Sequence, residues 1–431
     1  MTAVKRRWLV RLLLAAVGVA LLASAIGIFI FQRLNVVDQD RVIRYLPFLS
    51  PLRATEIPFR IPTPVATASL DFSSLLTPDA PTATPTATPL SAIVPIAFQA
   101  TPTPVLAWTP LPSSYRLQGA QWEPQKFNNC GPANLVQAMR FYGWNDPQDS
   151  VAGALKPSPP DKNVSPQELA DYVNSRTNGY LRAIVRTGGD MRLVRQLVAN
   201  KFVVLLETGF YDPDNPQQGW IGHYLTIIGY DDNLGRLYKL DTYKGETNER
   251  YEVLDELWSH FNRIYIVVYQ TSRERELMGL LGDHWNEDYN RRYTLDRARE
   301  AAALQPNNPF AWFNLGSSFT ALGRYLEAAL AFDRAFSLPE AIPFRMLWYQ
   351  FTPFEAYYRS GNYQQVITLA ELVIESAKGA VEEAFYYRGI AKAALGLWQE
   401  AYADLDAAVR FNPNHSAAVH ALNLVRGGQV P

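Results

Sequence analysis

One cysteine in 431 residues, Cys130, excludes an intramolecular disulfide and any cysteine-based zinc or iron–sulfur cage. An excess of either charge is also missing. Forty basic against 41 acidic side chains leave a formal charge of -1, without the basic surplus that nucleic-acid binding requires. Histidine is scarce at five, and His260, His284, His415 and His420 have no partner at ligand spacing. There is no Gly-rich phosphate loop, no H-E-x-x-H and no G-x-S-x-G. The loop acids Asp212, Asp214, Asp231 and Asp232 lack the EF-hand spacing. No metal and no cofactor are therefore expected.

Proline is the opposite case: 30 residues, too many for a compact fold unless they cluster. They cluster in the Pro/Thr-rich stretch 47–112, which includes Thr82-Ala83-Thr84-Pro85-Thr86-Ala87-Thr88-Pro89. Such a segment buries too little apolar surface to offset its chain entropy, so a disordered, extended stalk is expected. Ahead of it, the basic N-terminus 1–11 precedes Leu12–Phe31, twenty residues without a charge. Twenty helical residues rise about 30 Å, the thickness of the hydrocarbon core. Basic residues before the span place the N-terminus in the cytoplasm and everything after Arg33 outside. Ala23-Ser24-Ala25 offers a signal-peptidase site, but apolar residues run on through Phe31, which favours an uncleaved single-pass anchor over a signal peptide.

Residues 113–270 mix helix and strand signals. A helix is expected over Pro132–Tyr142, and Ser165-Pro166-Gln167-Glu168 is a capping box opening another to about Asn174. Asp190 caps a third. That helix leads into the apolar run Phe202–Glu207, and strands are expected at His223–Tyr230 and Arg236–Asp241 around a turn centred near Asn233, and at Arg263–Tyr269. Helices followed by consecutive strands indicate an α+β domain. Residues 272–425 read as helical repeats. Trp312, Leu315, Gly316, Phe319, Ala328, Phe332 and Ala335 fall on tetratricopeptide (TPR) spacings. Leu281, Gly282, Trp285, Ala301 and Pro306 look like an earlier copy, Gly389, Ala401, Ala408 and Pro413 a later one, and Tyr357 with Gly361-Asn362-Tyr363 a degenerate one. The repeats join the preceding domain without a linker, so docking is expected, with Trp285, Tyr289 and Trp348 as candidate contacts or as a partner groove.

The segment Gln125 to Ala133 carries the chemistry. Cys130 stands where a helix begins, with Pro132 supplying a pre-set helical φ. A thiolate there meets the positive end of the helix dipole and unpaired backbone N–H groups, which lower its pKa. Gln125 is placed to offer its amide beside the Cys130 N–H, two donors for an oxyanion. A cysteine nucleophile needs a base, and the base an orienter. With opposed residues summing to about 466, His223 and Asp241 lie on one face as diagonal neighbours; an odd sum separates them.

These residues carry a resemblance. Gln125…Cys130-Gly131-Pro132-Ala133, Gly222-His223-Tyr224…Ile228-Gly229-Tyr230-Asp231-Asp232 and Leu240-Asp241 resemble the bacteriocin-leader (double-glycine) peptidase family, with its papain-like fold. The resemblance implies Cys130 as nucleophile, His223 as general base and acid, Asp241 as orienter and Gln125 in the oxyanion hole. The Gln-to-Cys spacing is five where papain-like enzymes usually show six, and Thr242 stands where relatives often have proline. No ATP-binding cassette or transporter spans follow, so a bacteriocin exporter is not expected. The chain is thus expected to be a membrane-anchored, extracytoplasmic cysteine peptidase acting on a peptide or protein, with a protein partner on its repeats. The alternatives are an inactive papain-like scaffold and a papain-fold acyltransferase.

Overall fold

The computed structural model describes residues 17–19, 22–32, 39, 42–43, 45–52, 59–63, 72–78, 110–158, 161 and 163–431. Two compact units are present, Met1–Phe59 and Arg60–Pro431. In the first, residues 22–32 are helical, with Leu22, Ile26, Phe29 and Ile30 exposed. Residues 12–16 and 20–21 of the expected membrane span lie outside the described residues. Among the described residues no helix is long and apolar enough to cross a membrane.

The second unit holds an antiparallel seven-stranded sheet. Its strands are β1 (Ser114–Arg116), β2 (Leu181–Arg186), β3 (Val203–Tyr211), β4 (Trp220–Asp231), β5 (Arg236–Asp241), β6 (Gly245–Arg250) and β7 (Tyr265–Gln270). The order is β2-β7-β3-β4-β5-β6, with β1 paired to β4. Around the sheet lie α1 (Cys130–Phe141), α2 (Gln148–Leu155), α3 (Pro166–Arg176), α4 (Met191–Ala199) and α5 (Tyr251–Ser259). Helix α3 starts on a complete capping box, Ser165 with Glu168, and α4 on Asp190, whose Oδ1 accepts from Leu193 N at 2.7 Å. Strands β3 and β4 are buried along nearly their whole length because helices cover both faces, so they read as continuous apolar runs. Five short elements have no clear periodic signal: α2, β1, β2, β6 and α5.

The rest is helical: α6 (Glu274–Leu281), α7 (Glu287–Leu304), α8 (Pro309–Ala321), α9 (Tyr325–Ser337), α10 (Thr352–Arg359), α11 (Tyr363–Ser376), α12 (Glu382–Ala394), α13 (Trp398–Phe411) and α14 (Ser416–Arg426). Small residues let paired helices approach. A Cβ on Gly316 of α8 would meet the Phe332 ring of α9 at 2.7 Å, and one on Gly389 of α12 would meet Leu405 of α13 at 2.7 Å. The supposed early copy is not a hairpin. Leu277 and Leu281 of α6 belong to the core of the sheet region, Trp285 packs against that core, and Gly282 at φ +53° turns the chain between them.

Two expectations need correction. The stretch 47–112 is not disordered throughout. Phe72–Leu76 forms a 3-10 helix whose Leu75 is buried in the core of the helical region with Ile61, while Leu75 O accepts from Arg299 Nε at 3.2 Å. Apolar residues inside the proline-rich composition drive this docking. Residues 79–109 lie outside the described residues. The helical region also does more than abut the sheet region: they share a core. Trp220 and Phe261 are buried with Leu295, Phe313 and Met346, and His260 stacks on Phe310 with ring centres 3.8 Å apart.

Candidate active site

Helix α1 begins at Cys130, a half-buried residue whose thiol group is itself buried. Asn128 stands just before it at φ +54°, a left-handed conformation in which asparagine is among the better-tolerated residues. The tight turn it makes sets the cysteine at the helix N-terminus. Lys156 Nζ holds that turn by donating to Asn128 O at 2.7 Å.

His223 arrives on β4 and Asp241 at the end of β5. Near the hairpin turn, paired residues sum to 467: Asp231 with Arg236, Tyr230 with Leu237, Gly229 with Tyr238. That odd sum alone would set His223 and Asp241 on opposite faces. A β-bulge between Ile227 and Gly229 takes up one residue, and from there the sum is 466, with Ile227 against Lys239 and Thr226 against Leu240. The bulge restores the face on which the two side chains meet. His223 Nε2 lies 3.0 Å from Asp241 Oδ1, both buried. The same Oδ1 accepts from the backbone N–H of Tyr243 at 2.9 Å and of Lys244 at 3.2 Å.

With Nε2 engaged by Asp241, Nδ1 is the ring nitrogen left for Cys130, whose thiol the imidazole influences directly. Burial pushes the Cys130 thiol up. The His223 hydrogen bond and charge, with help from the Tyr224 backbone and Lys156, outweigh burial and hold it below its ordinary value. Burial pushes the imidazole down, but the Asp241 carboxylate and the bonds to Asp241 and Cys130 raise it to about 10. Asp241, despite its burial, is held well below the usual carboxylate range, chiefly by the His223 charge and hydrogen bond. All three shifts favour a thiolate–imidazolium pair flanked by a carboxylate.

Gln125 reaches the same place through a neighbouring loop. Its backbone N–H donates to Thr242 O at 2.8 Å, and its Oε1 accepts from Thr242 Oγ1 at 2.8 Å. These bonds fix the amide so that its nitrogen is turned away from Thr242. Sequence reasoning treated Thr242 as a departure from pattern; here its hydroxyl orients Gln125.

Several neighbours escaped the sequence reading. Asn134 and Gln137 follow Cys130 at four and seven residues, a polar stripe on a helix that is apolar but for Arg140 in its last turn. Asn134 Nδ2 donates to Cys130 O and Tyr224 O, both at 2.8 Å, and Asn134 Oδ1 accepts from Thr226 Oγ1 at 2.7 Å. Gln137 Nε2 donates to Thr226 Oγ1 at 3.1 Å. This network binds α1 to β4 and so the cysteine to the histidine. The signal was present, two amides at helical spacing from the cysteine. Glu207 is buried beside Tyr224 near the thiol, and burial raises its carboxyl well above the ordinary range. Nothing in local sequence marks it.

The helical region contributes to one side of the site. Its 3-10 helix Phe344–Trp348 bridges two walls: Arg345 Nη1 donates to Gln218 O and Trp220 O at the start of β4, and Trp348 O accepts from Asn163 Nδ2, in the loop before α3, at 2.5 Å. The next residue, Tyr349, lies against Gly222, where a Cβ would meet its ring at 3.1 Å. Trp348, an expected contact, is buried there. Trp285 packs on the sheet core, and Tyr289 stays exposed. Among the described residues no group of three His, Cys, Asp or Glu is placed to hold a metal ion. The loop acids have other partners: Asp212 and Asp214 flank Lys244 Nζ, and Asp232 binds Arg195.

Residues 114–273 match the Peptidase_C39 like family. Among solved structures, the chain is similar to a putative C39-like peptidase from Bacillus anthracis at 15% identity and a TM-score of 0.30, covering 36% of this chain and 98% of that one. It is similar also to the peptidase domain of Streptococcus ComA, a bifunctional ABC transporter involved in quorum sensing, at 17% identity and a TM-score of 0.27, covering 35% and 98%. No curated protein matches the chain. Strands β1 to β7 and helices α1 to α5 are thus a C39-peptidase-like domain, followed by a helical C-terminal region.

Proposed function

We propose that the chain is a membrane-anchored cysteine peptidase working outside the cytoplasm through an acyl-enzyme. The observation that carries this reading is the run of contacts from Cys130 to His223 to Asp241, built from a helix start and two strands far apart in sequence. In the proposed reaction the Cys130 thiolate attacks a scissile carbonyl, and the oxyanion is met by the Cys130 N–H and the Gln125 amide. His223 then gives its proton to the leaving amine, and the C–N bond breaks to leave a thioester. Water, deprotonated by His223, attacks the thioester, releasing the carboxylic acid and the free thiol. Asp241 holds the ring with Nδ1 toward sulfur and stabilises the imidazolium.

The charge-free segment 12–31 is the proposed anchor, and the helical hairpins are proposed as TPR-like units that bind a peptide or protein partner. Their support is the close packing at Gly316 and Gly389. The test uses the full chain in detergent, a peptide library and an epoxysuccinyl peptide label. The reading expects hydrolysis and labelling at Cys130, both lost in Cys130→Ala. Undiminished hydrolysis by Cys130→Ala, with folded wild-type chain unlabelled, overturns it.

A further inference from the structure

Strand β4 has different neighbours on its two faces around His223. Thr208 of β3 pairs with His223 and Phe210 with Ile221, so Phe210 and the imidazole share one face, with ring centres 5.1 Å apart. Gly209 pairs with Gly222, and that other face is packed by Tyr349 of the helical region. On the His223 face, aromatic rings are left open to solvent. Tyr243, in the turn after β5, is 46% exposed, with its ring centre 6.5 Å from that of Phe210. Trp122 is 44% exposed, and its indole Nε1 donates to Asp241 O at 2.9 Å.

These rings are held in place by the fold itself. The Tyr243 backbone N–H donates to Asp241 Oδ1, so its ring follows directly on the orienting carboxylate. Lys244 Nζ stands 5.7 Å from the Phe210 ring centre and pairs with Asp212 at 3.0 Å and Asp214 at 3.1 Å. That ion pair clamps the end of β3 to the turn after β5. Two carboxylates against one ammonium leave the rim beside the rings net negative, with Asp214 facing solvent.

The chemistry of acyl transfer decides which part of a substrate passes here. His223 gives its proton to the leaving amine, which brings that nitrogen within hydrogen-bond reach of the imidazole. The residue bearing the amine therefore lies beside the His223 ring, on the face shared with Phe210.

We propose that Phe210, Tyr243 and Trp122 form the subsite for the substrate residue just after the scissile bond, and that this residue is a large apolar or aromatic one. The proposal deepens the peptidase reading and rests on it for its occupant. An aromatic side chain laid on Tyr243 and Trp122 removes apolar surface from water on both partners. An aspartate there meets the net-negative rim instead.

The experiment uses the full chain in detergent and quenched peptides that differ only in the residue after the cleaved bond: Phe, Leu, Ala or Asp. The kcat/KM for Phe and for Leu should exceed that for Ala by about tenfold, with Asp the poorest. Tyr243→Phe should keep the Phe-to-Ala ratio, and Tyr243→Ala, which retains the backbone N–H to Asp241, should lower it about threefold or more. If Tyr243→Ala does not fold, Trp122→Phe replaces it, with the same direction expected. A ratio near one, a preference confined to the carbonyl side of the bond, or a ratio untouched by the ring-removing variant overturns the proposal. If no peptide is cleaved, the peptidase reading fails, and the subsite is judged by binding to Cys130→Ala. Phe-Ala-amide should then shift the His223 ring resonances with a Kd of about 10 mM or tighter, several-fold tighter than Ala-Ala-amide. Equal affinity of the two amides, or no shift with either, overturns the subsite as well.

Discussion

Two buried histidines lie 37 residues apart in this chain and end in opposite protonation states. His223 is 3% exposed and His260 is 8% exposed; each has an aromatic ring against it, Phe210 at 5.1 Å and Phe310 at 3.8 Å. Burial pushes both imidazoles toward neutrality. His260 is left there, lowered to about 4, with the Trp220 indole N–H donating to its Nδ1 at 3.1 Å. His223 is instead raised to about 10, because a carboxylate lies on one ring nitrogen and a thiol on the other. Burial is common to the two regions, so the charged partners make the difference. Proton transfer is the proposed role of the first neighbourhood, while the second joins the sheet region to the helical region.

The sharpest way to break this contrast is to make His223 resemble His260. Asp241→Asn removes the carboxylate but keeps the shape. Turnover of any peptide substrate should fall by about 10^2 to 10^4, with a smaller effect on binding. The His223 ring, followed by NMR, should titrate well below about 10. Unchanged turnover would mean that Asp241 is only a structural partner.

Next in size is the amide network that couples α1 to β4. Asn134→Leu removes the acceptor of the Thr226 hydroxyl and the amide donor to the Cys130 and Tyr224 carbonyls, and should cost about 1–3 kcal/mol in urea unfolding. An unaltered midpoint would show that the network does not hold the two walls together.

The stability of the second neighbourhood carries its own pH signature. His260 is lowered in the fold relative to about 6.5 in the unfolded chain. Its contribution is fully present above pH 6.5 and is lost as pH falls from 6.5 toward about 4, because the unfolded chain binds the proton first. Thermal melts should show Tm falling through that window, and His260→Phe should flatten the slope there. The smallest effect is expected outside both neighbourhoods. Tyr289→Ala, at an exposed ring, should change stability by no more than about 0.5 kcal/mol and leave hydrolysis unaltered.

How far these neighbourhoods were legible in the sequence differs with the range of the forces involved. Cys130, His223 and Asp241 could be picked out because a helix start and a hairpin are local, and hairpin arithmetic decides which residues share a face. The same arithmetic missed the bulge at Ile228, which depends on packing against the neighbouring β1 strand. There, Gly229 leaves room for the Tyr115 carbonyl, which an added Cβ would meet at 2.6 Å. The shared core brings Trp220 and Phe261 against Phe310 and Tyr349, 49 to 129 positions further along the chain, with no periodicity to announce it. The helix α6 was assigned to a repeat because Leu281, Gly282 and Trp285 fit its spacing. Tertiary burial against the sheet overrode the spacing. Short edge elements such as β6, with burial alternating between half-buried and exposed, offered too weak a pattern to read.

The central claim is that Cys130 is a thiolate because His223 is an imidazolium. The most direct measurement is the rate of iodoacetamide alkylation of Cys130 as a function of pH. The account predicts rapid alkylation already well below the ordinary thiol range of about 8.5, and loss of that acid-side reactivity in His223→Ala. A single rise centred near about 8.5, the same in both proteins, would contradict it.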